Sequence, residues 1–171
     1  VGIETVKLLK EKYHDVFYTI LFSESPLAKA EHQAYYEKLV GLIEKHGLEE
    51  NVAIIRGFNT SQILDAHIRI NRLALFAYVS TPNHAVFGVS GAVRETMAKG
   101  VVACVSSNGR HFADCPSAKG AGPVELAKEC ARLFDNQEAF NAQLARQTEW
   151  VERNSWKNCA EKLLKVMVDA R

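Results

Sequence analysis

The residues best suited to chemistry crowd into Tyr78–Ser106, YVSTPNHAVFGVSGAVRETMAKGVVACVS. An apolar stretch ends, a polar loop follows, and a helical pattern opens at Ser90-Gly91-Ala92. The first N–H groups of a helix lack intrahelical acceptors and sit at the positive end of its dipole, so such a start is an anion site. Gly88, Ser90, Gly91 and Ala92 are all small, which lets a phosphate approach the backbone. Glu95 follows Gly91 by four residues, on the same helix face, and helical side chains lean toward the N-terminus. A carboxylate placed there can accept hydrogen bonds from ribose hydroxyls while phosphates rest on the helix tip. The pattern predicts a nucleotide site at the C-terminal edge of a sheet. The same residues fit a plainer reading, in which Ser90 is a helix cap and Glu95 a solvated surface acid.

Other constellations are weaker. Gly88-Val89-Ser90-Gly91-Ala92 falls one residue short of the G-x-S-x-G elbow of serine hydrolases. Ser90 follows its strand by about ten residues, too far for a sharp strand-to-helix turn. The later His111 precedes Asp114, against the usual order, so a hydrolase using Ser90 is a minor alternative. No G-x-G-x-x-G follows an apolar run, so a dinucleotide-binding fingerprint is absent. Gly57 and Phe58, at the C-terminal end of an apolar run, are candidates for the pocket of a nucleotide base. Arg110-His111-Phe112 falls in a loop beside the expected site, where it is either a contact or plain surface. His14, His32, His46 and His67 fall on helices or their ends without partners at useful spacing. The four cysteines form no C-x-x-C pair, and no two histidines have helix-ligand spacing, so a structural zinc is not expected. Cys104, Cys130 and Cys159 fall on apolar strand or helix faces and read as small buried hydrophobes.

These residues need a scaffold, and the apolar pattern supplies one. Phe17–Ser23, Val52–Arg56, Leu73–Val79 and Val101–Ser106 are continuous apolar runs, as expected of strands buried on both faces. Helical periods fill the intervals: Lys29–His46 closing at Gly47, Ser61–Asn71, and Ser90–Lys99 closing at Gly100. Alternating strands and helices predict an α/β fold, a Rossmann-like doubly wound parallel sheet over about 1–122. From about 123 to 171 the pattern is helical, with Leu126, Ala127, Cys130, Leu133 and Phe134 inward on the first helix. Phe140, Leu144 and Val151 mark a second, and Trp156, Ala160, Leu163, Leu164 and Met167 a third. The opening VGIETVKLLKEKY is an amphipathic helix, whereas a doubly wound unit begins on its central strand. The expectation is a single domain, 1–171, that lacks this first strand, with residues of a parent protein upstream.

Composition narrows the classes further. Lys plus Arg total 21 against 20 acids, so charge gives no reason to expect nucleic acid. No apolar run reaches the ~18 residues that cross a bilayer. A cytoplasmic protein is expected, with membrane association confined to a peripheral contact made through a missing domain.

Phe87–Val102, FGVSGAVRETMAKGVV, resembles the donor-binding helix of retaining glycosyltransferases of GT-B architecture, especially family four (glycosyltransferase group 1). Members commonly carry Glu, seven residues, then Glu-Ala-Met-Ala, a small residue, Gly and a strand; Glu95-Thr96-Met97-Ala98-Lys99-Gly100 is similar to the second half. VAIIRGF at Val52–Phe58 is similar to the strand beside the base, and the helical tail with Trp156 to the closing helices. The resemblance has departures. Phe87 stands where the first Glu belongs, the usual basic clamp falls at or before Val1, and Ser23-Glu24-Ser25 lacks the usual Gly pair.

The resemblance implies a domain that binds a nucleoside diphosphate sugar and helps transfer the sugar, with retention, to an acceptor hydroxyl. Gly57, Phe58, Gly88, Ser90, Gly91, Ala92 and Glu95 would hold the donor. Asn83 or His84 would touch the sugar in place of the lost Glu, unless both are loop residues. No cofactor is implied, and with no Asp-x-Asp pair in the chain no metal is implied either. The acceptor, a glycan, lipid or other hydroxyl compound, would bind a missing N-terminal domain. The chain alone would then be inactive. A GT-B-like module that has lost catalysis and serves in assembly is the alternative.

Overall fold

The computed structural model describes residues 1–22, 24, 29–57, 60–78, 90–106, 112 and 114–169. Its elements run α1 (Gly2–Lys10), β1 (Tyr18–Phe22), α2 (Lys29–Lys45), β2 (Val52–Arg56), α3 (Ser61–Arg69), β3 (Leu73–Phe76), α4 (Gly91–Ala98), β4 (Val102–Ser106), β5 (Ala118–Gly120), α5 (Pro123–Asp135), α6 (Gln137–Arg153) and α7 (Trp156–Asp169). All ladders are parallel, as expected of strands joined through helices. The expected α/β architecture is present.

Strand pairing is discontinuous. β1 pairs with β2, Tyr18 opposite Val52, while β3, β4 and β5 form a second group with Leu73 opposite Val102 and Cys104 opposite Ala118. No ladder joins β1 to β3. Tyr18–Leu21 and Leu73–Phe76 instead line a shared cleft of 390 Å³. A sheet that lacks its first strand is expected to leave two strands unpaired in this way.

β4 is the best-buried strand, and its alternation explains the layering. Val102 and Cys104 pack with Leu9 of α1 and Ala127, Cys130 and Leu133 of α5. Ala103 and Val105 pack on the other side with Val93 and Met97 of α4 and with Phe112. Period-two alternation thus buries both faces, each beneath helices. A third cluster joins Ile3 and Val6 of α1 to Leu39 and Ile43 of α2 and Val52 of β2. On α6, Gln147 is fully buried, its side-chain amide donating to the Ala103 carbonyl and its carbonyl accepting from the Ala103 N–H, each at 3.3 Å.

Three expectations need correction. β5 follows no long apolar run, because its middle residue Lys119 is exposed and only Ala118 and Gly120 are buried. Cys159 is exposed rather than buried. It lies on α7, which buries no residue and leaves Trp156, Leu163, Leu164 and Met167 in water. Apolar period shows which face of a helix would be buried, not that a neighbour covers it.

Candidate functional site

The described part of the site is built around the start of α4. Ser90 has an extended backbone (φ −70°, ψ 109°), and its hydroxyl accepts from the Val93 N–H at 3.4 Å, which is the geometry of an N-cap. The Arg94 N–H bonds the Ser90 carbonyl, leaving the Gly91 and Ala92 amides as the outward donors of the turn. Among the described residues, a Cβ added at Gly91 would meet nothing within 4 Å. Behind the tip, Val93 and Met97 anchor the helix in the core. Arg94 adds an ion pair to Asp114 and lies 5.0 Å over the Trp150 ring. The helix is anchored in the core and presents the Gly91 and Ala92 amides at its start.

Glu95 is one turn along and half-exposed. Its Oε1 accepts from Lys99 Nζ at 2.7 Å, and the same ammonium lies 3.2 Å from Asp65 Oδ1 on α3. Asp65 in turn accepts from Arg69 Nε at 2.9 Å. The bond to Glu95, then that to Asp65, raise the Lys99 pKa; Arg69 and Lys99 hold the Asp65 carboxyl below its usual range. Glu95 with Ala92 and Thr96 lines the cleft whose walls are β1 and β3, and Leu64, His67 and Ile68 of α3 close it. Tyr78, just past β3, completes the lining; its carbonyl accepts from the Ser106 hydroxyl, and its ring is 5.3 Å from that of Phe112.

The structure therefore unites Ala92 and Glu95 in one cleft, with Gly91 and Ser90 at the adjoining helix tip. Gly57 ends β2 in the left-handed region, φ 114°, which favours glycine, and its N–H bonds the Phe22 carbonyl. It does not line the cleft. Phe58, Asn83, His84, Phe87, Gly88, Arg110 and His111 lie outside the described residues. Tyr78, His67, Asp65 and Lys99 were not expected at the site. Of these only Lys99 had a visible signal, its place four residues after Glu95, which is the favourable order for a helical ion pair. Ser90 fits the hydrolase alternative poorly: β3 closes at Phe76, far from the helix start, and its hydroxyl serves as a cap. Among the described residues no group of three His, Cys, Asp or Glu side chains could hold a metal.

No protein-family model matches the chain, nor does any curated protein. Solved structures do. The C-terminal domain of a glycosyl transferase group 1 family protein (LpcC) from Francisella tularensis superposes with a TM-score of 0.71, at 14% identity, over 90% of this chain and 76% of that one. The fold is that of a GT-B C-terminal domain. A UDP-forming trehalose-phosphate synthase from Burkholderia xenovorans matches the GT-B-type chain with a TM-score of 0.75 at 10% identity, over 96% of it and 40% of the synthase. A mutant S. aureus TarM, solved with fondaparinux, α-GlcNAc-glycerol and UDP, matches with a TM-score of 0.70 at 18% identity, over 96% of the chain and 31% of TarM. The chain thus spans well under half of these two longer proteins. No described helix is long and apolar enough to cross a membrane.

Proposed function

We propose that this chain is the donor-binding domain of a retaining glycosyltransferase, which takes a sugar from a nucleoside diphosphate sugar to an acceptor hydroxyl. The observation that carries the reading is the pairing of the amide-lined start of α4 with Glu95 one turn behind it, on a GT-B scaffold. The diphosphate would rest on the Gly91 and Ala92 amides, the ribose hydroxyls on Glu95, and the base toward Gly57. Fixed amide donors at the helix tip would stabilise the charge that develops on the departing diphosphate, with no reorganisation during reaction. Phe58, Gly88, Asn83 and His84 belong to the same proposed donor site. Neither cofactor nor metal enters this account.

The acceptor would be a glycan, lipid or other hydroxyl compound held by a domain outside these 171 residues. The open edges of β1 and β3 support a parent fold in which one more strand lies between them. Neighbours with UDP or a UDP-forming activity in their names support a nucleotide-sugar partner of this kind. The cytoplasm, with peripheral membrane contact through the second domain, is the proposed location.

Amide chemical shifts test the phosphate part directly. On titration with nucleoside diphosphates, the Gly91 and Ala92 amides are expected to move most among the helix starts. Shifts confined to other helices would refute the assignment. The assembly-module alternative predicts binding without transfer in the full-length protein, for any sugar donor supplied.

A further inference from the structure

We propose that Lys99, held in turn by Asp65, is a positioning residue that presents the Glu95 carboxylate to the ribose; this rests on the reading of Glu95 as the ribose ligand. Glu95 is half-exposed and its side chain has three rotatable bonds, so a free carboxylate there would sample many rotamers. Lys99 removes that freedom. Its ammonium, on a side chain only 14% exposed, bonds Glu95 Oε1 at 2.7 Å. Among the described residues Oε2 has no hydrogen bond, so it is the oxygen left to accept from a ligand hydroxyl.

Lys99 is itself fixed from the other side. Asp65 Oδ1 lies 3.2 Å from the same nitrogen, and Arg69 bonds the other Asp65 oxygen at 2.9 Å. Charges therefore alternate Arg69, Asp65, Lys99, Glu95 across two helices, α3 and α4, that both line the cleft. An isolated surface pair would be worth little, but a lysine side chain lying largely along the protein, with its ammonium held at two points, fixes geometry better.

A positioning role predicts an effect on ribose recognition, not on folding or on phosphate binding. The test is titration of the chain with UDP, GDP and ADP and with their 2′-deoxy counterparts. Any of these that binds the wild type should bind about tenfold more tightly as the ribonucleotide, the effect of one hydrogen bond to a carboxylate. Glu95→Gln should remove most of that ratio. Lys99→Met should also reduce it severalfold while leaving the melting temperature and the 2′-deoxy affinity near wild type. Lys99→Arg should restore part of it, and Asp65→Asn should fall between.

Three results would overturn the proposal, and they separate its parts. A ratio that falls in Glu95→Gln but persists in Lys99→Met refutes the positioning role and leaves the donor site standing. An equal loss for ribo and deoxy forms in Lys99→Met means the ammonium acts only as a charge near the phosphates. Absence of any ratio in the wild type, or a ratio unmoved by Glu95→Gln, refutes the ribose reading and this inference with it.

Discussion

β4 and β3 are neighbours in one ladder, β3 apolar throughout and β4 apolar up to Ser106, yet they live in different surroundings. Every residue of β4 is buried, with β3 and β5 on its edges and helices on both faces. Every residue of β3 is only partly buried, because its other edge borders the cleft shared with β1. Uninterrupted apolar sequence is therefore compatible with a finished core and with an open one. The closed side anchors α4, and the open side gives Glu95 a cleft to face.

The contrast can be broken by deletion of side chains. Leu133→Ala removes a fully buried residue packed on β4 and should cost about 3 kcal/mol, from lost transfer energy and the cavity left behind. Leu75→Ala, on β3, should cost less, about 1–2 kcal/mol, because that half-buried side chain packs against the same core yet also lines the cleft. Denaturant titration of both variants measures the difference, and equal costs would mean that the cleft is filled in solution. Gln147→Leu should cost about 2 kcal/mol despite its apolar replacement, since it leaves the buried Ala103 amide and carbonyl without their side-chain partner. A variant as stable as wild type would show that those bonds contribute nothing.

The smallest effect lies at the surface and depends on pH. Lys12 and the Tyr13 hydroxyl bond Asp135, where α1 meets the end of α5, and hold its carboxyl below the usual range. A depressed folded pKa stabilises fully above the unfolded value near about 3.9, and that contribution disappears as pH falls through the lower folded value. Lys12→Met should therefore be slightly less stable than wild type at neutral pH, with the two curves merging in acid. Curves that stay parallel down to the acid limit would assign the difference to something other than Asp135.

Much of the scaffold was legible because its signals are local. Ser90 as a cap, Gly100 at φ 76° behind α4, and the bounds of β2 all follow from residue type and period. β5 was not legible: three residues with one exposed lysine make no pattern. Gln143 and Gln147, buried on α6, are invisible to a reading that looks for apolar side chains. The exposure of α7 depends on what lies beside it, which its own sequence does not encode. The start of α4 and the place of Glu95 one turn along it were readable from spacing, whereas Tyr78, His67 and Asp65 come to the same cleft or network from other elements through tertiary packing.

The central claim is that the α4 tip and Glu95 hold a nucleoside diphosphate. A thermal-shift panel of UDP, GDP, ADP, dTDP and CMP, on wild type and on Glu95→Ala, tests it most directly. A ligand that binds only the folded chain must raise its melting temperature, by about 2.7 kcal/mol of added stability at a hundred times its Kd. Stabilisation by one nucleoside diphosphate is expected, lost or sharply reduced in Glu95→Ala. Unchanged melting with every nucleotide, or stabilisation indifferent to Glu95, would contradict it.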